Sequence, residues 1–243
     1  MTFPSSSPYG WLMLAGICLS AIFWARLARR DDRLLVVYVM ALAGAFLGAK
    51  IAYFVAEGWR EAGQSDFWLR LATGKSILGA LFGGYAAVEL TKRCVGFQGV
   101  TGDWFAPLVA MGIIVGRLGC WWHGCCPGRT SGPGWLMVRD VQGVERWPAV
   151  PLEILFNAVM LAVLVVLRLR HRCTGQHFHI YLIGYGTFRF FHEFLRDTPR
   201  IAGPFSGYHF LALGLLVFGL GAFIHRQKNS SGNWNRTVPV NSS

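Results

Sequence analysis

The sequence predicts an all-α polytopic membrane protein with seven transmembrane helices, and three observations lead to this fold class. Of its 243 residues, 53% are hydrophobic and only 14% are charged, whereas soluble domains carry about 25% charged residues. Several apolar runs approach the roughly 20 residues that cross a bilayer as a helix. The runs are continuous, whereas the strands of a membrane barrel would alternate between apolar and polar residues.

The apolar runs define the elements in chain order. We predict spans at residues 10–26, 34–56, 76–91, 104–121, 150–167, 178–194 and 205–225. The turns between them carry charges and helix breakers, as in "RLARRDDR" and "RDTPRIAGP". The transmembrane domain therefore covers residues 1–228, and the polar, unpatterned stretch 229–243 is predicted to be a disordered cytoplasmic tail.

Small residues are abundant where spans are expected to meet. The stretch "GALFGG" in the third span is one example, since small residues let helices approach closely. The sequence predicts packing within the chain at this point. A dimer face of the same kind is the alternative.

The net charge of +11 indicates orientation in a membrane rather than nucleic-acid binding. Lys and Arg concentrate at the ends of apolar runs, where they face lipid phosphates. By the positive-inside rule, a modest excess of basic residues places the N-terminus outside and the C-terminus in the cytoplasm. The residues that set this orientation follow the odd-numbered spans: Arg26, Arg29, Arg30, Arg33, Lys92, Arg93, Arg168, Arg170, Arg172, Arg226 and Lys228.

Four charged residues lie inside apolar runs: Lys50, Arg117, Arg189 and Glu193. An isolated charge at the bilayer centre costs at least roughly 2.5–3.5 kcal/mol, so such residues usually face a cavity or a partner and belong to functional sites. For Lys50, the alternative is that its long stem carries the ammonium to the membrane surface. For Arg189 and Glu193, which are four residues apart on a helix, the alternative is a structural ion pair.

The arginines point to an anionic ligand. Arg189, Glu193 and Arg196 form a stripe with surplus positive charge, and Arg117 adds a guanidinium from another helix. Guanidinium groups match phosphate oxygens in pairs, so arginines that meet near a membrane face indicate a phospholipid headgroup. The glycines around Arg117 would let the backbone approach this ligand closely; they are Gly116, Gly119, Gly124 and Gly128.

Five stretches, in order along the chain, resemble motifs of the prolipoprotein diacylglyceryl transferase family. They are "PYGWLMLAG", which contains Tyr9, "GAKIAYF", "GRLGCWWHGCCPGR", "RWPAVPLE", which ends at Glu153, and "LIGYGTFRFFHEFLRD". The resemblance implies an enzyme of the bacterial inner membrane that moves the diacylglyceryl group of phosphatidylglycerol onto a cysteine thiol of a prolipoprotein. It implies no metal or soluble cofactor.

The same resemblance assigns roles to residues. Arg117 corresponds to the phosphate-binding arginine of the family, Arg189 to its essential late arginine and Tyr9 to its first-span tyrosine. We therefore place Arg189 and Tyr9 in the catalytic group. We place Arg117, Arg196 and Glu153 in the substrate-binding group.

The chain departs from the family pattern where a base is expected. Leu78 stands at the position of a family histidine, and Cys120, His123 and Cys125 replace two asparagines and a glutamate of the motif. His123 is the preferred replacement for the base, because histidine titrates near neutral pH, and a structural role for it stays open. Glu193 is the other candidate, although flanking arginines keep it ionised.

Three interpretations stay open for Cys120, Cys125 and Cys126. They line a pocket, or they provide a reactive thiol or a disulfide beside the arginines, or they bind zinc together with His123. The C-x4-C-C spacing argues against zinc, because vicinal cysteines rarely both bind one ion. No metal is therefore predicted.

Three functions follow from these observations. The first is the transferase, whose partners are phosphatidylglycerol or another anionic phospholipid and a prolipoprotein or other thiol-bearing acceptor. The second is a paralogue with the same lipid pocket and a different acceptor, which Leu78 suggests. The third is a lipid-binding or metal-binding membrane protein without catalysis.

Overall fold

Helices make up most of the chain in the computed structural model, which describes residues 14, 16, 18, 20–22, 24–26, 29, 31–132, 134–140 and 142–234. The helices are α1 (Arg33–Ala56), α2 (Phe67–Thr73), α3 (Ile77–Cys94), α4 (Gly102–His123), α5 (Ala149–Leu169), α6 (His177–His192) and α7 (Gly207–Trp234). Short 3-10 helices cover Gly58–Glu61 and Glu193–Leu195.

Two small antiparallel hairpins interrupt the helices. In the first, β1 (Val138–Arg139) pairs with β2 (Glu145–Arg146) so that Val138 lies opposite Arg146. In the second, β3 (Arg200–Ala202) pairs with β4 (Phe205–Ser206), with Arg200 opposite Ser206. The hairpins occupy the loops before α5 and before α7.

Within the described residues, four helices are long and apolar enough to cross a membrane: α1, α4, α5 and the part of α7 up to Lys228. Helices α2 and α3 meet at a bend of 63° and together provide a fifth candidate. These findings confirm a mostly helical protein with four to five helices that are able to cross a membrane.

The two remaining predicted spans and the orientation stay predictions. The residues described between 14 and 26 are helical, but residues 10–13, 15, 17, 19 and 23 of the first predicted span lie outside the described residues. Helix α6 has 16 residues, fewer than the roughly 20 that cross a bilayer.

The predicted disordered tail begins earlier in the sequence than the last helix ends. Helix α7 continues to Trp234, six residues into the segment predicted to be disordered, because an established helix gains one backbone hydrogen bond for each residue it adds. Residues 235–243 lie outside the described part of the chain. For them, disorder stays a prediction.

Glycines bring α1 and α3 into direct backbone contact. A Cβ atom added to Gly79 would lie 2.1 Å from the Gly48 oxygen, and one added to Gly83 would lie 2.1 Å from the Gly44 oxygen. The later residue of α1 faces the earlier residue of α3, so the two helices run antiparallel. This contact confirms the packing within the chain that "GALFGG" predicts.

Helices α6 and α7 also pack through glycine. A Cβ atom on Gly186 would lie 2.8 Å from the Leu216 nitrogen, and one on Gly219 would lie 3.1 Å from the Leu182 side chain. Helix α6 also contributes the fully buried Tyr185 to the main apolar core. The antiparallel arrangement brings the end of α6 and the start of α7 to one end of the bundle.

The ends of α4 and α6 meet the start of α5 at this same end. The Nε2 atom of His192, at the end of α6, donates to the Ala149 oxygen at the start of α5 at 2.7 Å. Gly207, at the start of α7, lies against Ala56 at the end of α1. The loops that contain the two hairpins follow α4 and α6, so they belong to this end as well.

Candidate functional site

Arg117 lies in the last two turns of α4 and joins three helices through a buried carboxylate. Its Nη2 atom is 2.9 Å from Oε2 of Glu153 on α5, and Oε1 of Glu153 accepts a hydrogen bond of 2.7 Å from the Tyr185 hydroxyl on α6. Arg117 is 7% exposed and Glu153 is 1% exposed. The contact gives the buried guanidinium a counter-charge.

Arg189, near the end of α6, has a second set of partners. Its Nη2 atom is 3.0 Å from Oε2 of Glu193, which confirms the ion pair considered from the spacing. Its Nη1 atom donates to Nδ1 of His192 at 2.7 Å. Since Nε2 of His192 donates to the Ala149 oxygen, the ring is neutral and both of its nitrogens are engaged.

Glu193 is fully buried and all of its contacts are with donors. Its Oε1 atom accepts hydrogen bonds from the hydroxyls of Thr198 at 2.6 Å and Ser206 at 3.2 Å, while Oε2 faces Arg189. A carboxylate held in this way serves as a counter-charge and positions Arg189.

The two ion pairs belong to one electrostatic group. Glu153 attracts Arg189 and Arg196 as well as Arg117, and Arg117 and Arg189 repel each other. The pKa of Arg196 is below the usual value for arginine, because burial disfavours its charge and Arg189 repels it, while Glu193 opposes the shift. The three guanidinium groups and two carboxylates together carry one net positive charge.

The loop after α4 closes over this group. Gly128 forms an isolated β-bridge with Arg196, and the Arg129 nitrogen donates to the Leu195 oxygen at 2.8 Å. A Cβ atom on Gly128 would lie 2.1 Å from the Trp147 oxygen. Because the two backbone segments approach so closely, position 128, which was predicted as part of the site, requires glycine.

The first hairpin is held to the same loop by Arg146. Its Nη1 atom donates to the Gly128 oxygen at 3.2 Å, and its Nε atom is 2.6 Å from Oδ2 of Asp140. The Arg146 guanidinium, followed by the Val144 N–H, lowers the pKa of Asp140. Sequence reasoning assigned no role to Arg146, whose only signal was its place at the start of the fourth motif.

The other predicted glycines lie on or at the end of α4. Gly119 is buried and Gly116 is half-buried within the helix. Gly124 ends the helix with a left-handed backbone, φ 68°, a conformation that glycine adopts without steric cost. This position explains Gly124 by helix capping, with no ligand required.

The candidate bases occupy different surroundings. His123 is the last residue of α4 and is exposed. Leu78 is 1% exposed and belongs to the apolar core. Tyr9 lies outside the described residues, so its predicted contact with a donor stays a prediction.

Lys50 has a structural role. Its Nζ atom donates to the oxygens of Leu71 at 3.1 Å and Gly74 at 2.9 Å, and also to the Ala72 oxygen. These carbonyls lie at the end of α2, where a helix carries partial negative charge. The contacts account for this charge without an anionic ligand.

Sequence reasoning missed a buried polar pair beside the site. The Tyr181 hydroxyl donates to Oδ1 of Asn157 at 2.7 Å, and Nδ2 of Asn157 donates to the main-chain oxygen of Glu153 at 2.8 Å. Asn157 is an isolated polar residue inside the apolar run of α5. That isolation was the signal that could have identified it.

An apolar cavity of about 550 Å³ runs along α4 between α1 and α3. Its lining includes Phe105, Leu108, Gly112 and Val115 on α4. The lining reaches Val115, two residues before Arg117. At the opposite end of the bundle, the lining also includes Thr101, Gly175 and Arg226.

Comparisons with known proteins agree with the motifs. The family model described as prolipoprotein diacylglyceryl transferase matches residues 5–225. A protein of Clostridium perfringens named phosphatidylglycerol–prolipoprotein diacylglyceryl transferase 2 is 28% identical over 87% of this chain and 88% of its own length. Two further similar proteins are named phosphatidylglycerol–prolipoprotein diacylglyceryl transferase. The one from Bordetella avium is 31% identical over 84% of this chain and 81% of its own length. The one from Pseudoalteromonas atlantica is 32% identical over 82% of this chain and 74% of its own length. No solved structure matches the chain.

Proposed function

Because the chain belongs to the prolipoprotein diacylglyceryl transferase family, we propose that it transfers the diacylglyceryl group of phosphatidylglycerol to a cysteine thiol of a prolipoprotein. The names of its relatives specify this donor and this acceptor. They favour the transferase over a paralogue with another acceptor and over a non-catalytic binding protein. The observation that carries the proposal is the group of the buried Arg117 and Arg189 and the half-buried Arg196, which together with Glu153 and Glu193 has one positive charge in excess.

The phosphate of the donor fits the unused hydrogen-bond donors of this group. Among the described residues, the Nε atoms of Arg117 and Arg189 are buried without a hydrogen-bond partner. Buried donors are rarely left unpaired, and a phosphate diester provides two anionic oxygens that suit guanidinium groups. Arg196 adds positive charge beside them.

The apolar cavity along α4 supports a lipid donor rather than a soluble anion. Acyl chains in this cavity would extend away from Arg117 while the phosphate stays beside the guanidinium groups. Gly116 and Gly119 keep the α4 surface free of bulk near the headgroup. Tyr9 on the first span is proposed to contact the donor.

The reaction that follows is a displacement at carbon. The thiol sulfur attacks the glyceryl carbon that carries the phosphate ester, a C–S bond forms and the C–O bond breaks. The electron pair leaves with the oxygen of glycerol phosphate, and the thiol proton passes to a base, for which we propose His123. The departing phosphate gains a negative charge, which Arg117 and Arg189 stabilise, while Glu193 and Glu153 position them.

We place the protein in the bacterial inner membrane with seven spans and the arginine group at the outer end. Basic residues at the opposite ends of the helices support this orientation by the positive-inside rule; examples are Lys92 and Arg93 on α3 and Arg168 on α5. A prolipoprotein thiol would then reach the site from the outer side. The tail 229–243 would lie in the cytoplasm.

Arginine-to-lysine variants test the proposal. Purified protein in lipid nanodiscs receives phosphatidylglycerol labelled in its diacylglyceryl group and a peptide with a lipobox cysteine, and mass spectrometry measures the thioether product. Arg117→Lys and Arg189→Lys keep the charge but lose paired contacts with phosphate, so we expect a rate lower by about 10²–10³-fold. Arg139→Lys is the matched control, because Arg139 is an exposed arginine of the hairpin at the same end, paired with Glu145.

Two outcomes of this assay contradict the proposal. Wild-type rates in both arginine variants would remove Arg117 and Arg189 from the site. Product with small thiols but not with the peptide would show a different acceptor. A His123→Gln variant, with the exposed His225→Gln as control, should lower the rate by about 10²–10⁴-fold if His123 is the base.

A further inference from the structure

Cys120, Cys125 and Cys126 form a cluster of thiols that the proposed transfer reaction does not use. Their Sγ atoms all lie within 4.8 Å of one another, and all three cysteines are free. A zinc–sulfur bond of about 2.3 Å sets the sulfur atoms of a tetrahedral or trigonal site about 3.8–4.0 Å apart. Small side-chain rotations would therefore bring the three sulfurs onto one ion.

The backbone explains how two adjacent cysteines face the same point. Gly124 and Cys126 both have left-handed backbone, with φ of 68° and 61°, so the chain reverses directly after α4. The Cys125 nitrogen donates to the Cys120 oxygen at 3.1 Å. The reversal answers the objection from the sequence, which was that vicinal cysteines rarely bind one ion together.

The conformation of Cys126 is itself informative. Residues other than glycine rarely adopt left-handed backbone, which costs roughly 1–2 kcal/mol. His171 and Cys173, after α5, share this conformation, so at Cys126 it supports a site only together with the short distances between the sulfur atoms. Cys126 is the cysteine of the cluster that this conformation turns back towards Cys120.

The surroundings suit a bound ion. The three cysteines line a cavity of about 230 Å³ together with Trp121 and Pro127. The space leaves a fourth position for water or another small ligand, as in zinc sites with three protein ligands.

Charge and ligand type then limit which ion can bind. Three thiolates with a divalent ion carry one negative charge, and the cavity that the cysteines line also includes Arg139 and Arg146. Within the described residues, the cluster contains sulfur and no carboxylate. Thiolate ligands select Zn(II), Cu(I) and similar soft ions over Mg(II), Ca(II) or Mn(II).

We propose that Cys120, Cys125 and Cys126 form a three-thiolate site for one thiophilic metal ion of the Zn(II) and Cu(I) class, with a fourth position open to the cavity. The site lies beside the arginine group but is separate from the transfer chemistry. Its ion would hold the loop after α4 in the reversed conformation. Gly128, which pairs with Arg196, follows in that loop.

Cadmium titration tests the site directly. Protein in detergent is reduced with a thiol-free reductant, freed of metal with a chelator and titrated with Cd(II), whose thiolate complexes absorb in the ultraviolet. We expect the absorption to saturate at one equivalent. Zn(II) and Cu(I), added in separate competition experiments, should each displace Cd(II) and so identify the preferred ion.

Cysteine variants locate the binding. Cys125→Ser and Cys126→Ser should weaken Cd(II) binding by more than about 100-fold, the upper end of what outer-shell changes cost. Cys94→Ser and Cys173→Ser are the controls, because both cysteines are exposed and lie outside the cluster. Size-exclusion chromatography and circular dichroism identify any variant that fails to fold, and Cys125→Ala then replaces it.

Two results would overturn the proposal. One is the absence of saturation at one equivalent in folded wild-type protein. The other is equal binding by wild type and by the folded cluster variants. Neither measurement uses phosphatidylglycerol, so failure of the metal site and failure of the transferase proposal are distinguishable.

Discussion

Replacement of Glu153 by glutamine tests whether one carboxylate balances the buried charge of the site. Its Oε2 atom is 2.9 Å from Nη2 of Arg117, and its Oε1 atom accepts the Tyr185 hydroxyl at 2.7 Å. Glutamine has nearly the same shape but only one oxygen. Its NH₂ group must therefore face either the guanidinium or the hydroxyl, both of which are donors.

The size of the effect follows from burial. Glu153 is 1% exposed, and removal of one partner of a buried ion pair costs about 3–5 kcal/mol, since the remaining charge is left uncompensated. For a chain of this length, each kcal/mol lowers the Tm by roughly 2–4 °C. We therefore expect Glu153→Gln to lower the Tm by about 6–20 °C relative to wild type.

Thermal unfolding of detergent-solubilised protein, followed by tryptophan fluorescence, measures this shift. Asp66→Asn is the matched control: the side chains of Asp66 and Arg70 are both exposed, and Oδ2 of Asp66 is 2.7 Å from Nε of Arg70. Exposed pairs of this kind contribute about 0–1 kcal/mol. Phosphatidylglycerol should restore part of the Tm of Glu153→Gln, because its phosphate can pair with the freed guanidinium, whereas phosphatidylcholine should restore less. If Glu153→Gln has the same Tm as wild type, Glu153 does not balance the buried charge.

Two glycine substitutions test the packing and the loop. Gly79→Ala places its Cβ atom 2.1 Å from a backbone oxygen of α1, so α1 and α3 must separate. Calorimetry should show that the free energy of unfolding falls by about 1–3 kcal/mol. Gly84→Ala is the control, because its Cβ atom would have an ordinary nearest contact of 3.5 Å, and it should show no such fall. Gly128→Ala meets another backbone oxygen at 2.1 Å and should reduce the rate of transfer to the lipobox peptide by displacing the loop. The matched Gly132→Ala, with no atom within 4 Å of its added Cβ, should keep the wild-type rate; equal rates in both variants would contradict the proposed loop position.

The positions of the long helices could be predicted because apolar length and breakers act locally. The span predicted at 34–56 is observed as Arg33–Ala56, and the span predicted at 104–121 is observed as Gly102–His123. The bend between α2 and α3 and both hairpins were not predicted. They lie in polar connections where no apolar period indicates a structure.

The partners of the charged residues depend on how the helices pack, and they were only partly predictable. Arg189 and Glu193 are one helical turn apart, so their contact follows from spacing alone. Arg117 and Glu153 lie on different helices, and the resemblance placed both in the substrate site without indicating that they touch. The convergence of the cysteines depends on the left-handed backbone of Cys126, for which the residue type gives no signal.

The chain keeps the motif arginines Arg117 and Arg189 but not the motif histidine. Leu78, at the position of the family histidine, lies in the apolar core. Both ring nitrogens of His192 form hydrogen bonds. Nδ1 of His209 accepts a hydrogen bond from the Ser206 N–H, so the proton of the neutral His209 ring is on Nε2. Neither ring therefore has a free lone pair. Neither buried histidine can therefore take the thiol proton without losing a contact that holds the site. The proposed base, His123, lies instead at the loop end of the bundle, where α4 ends.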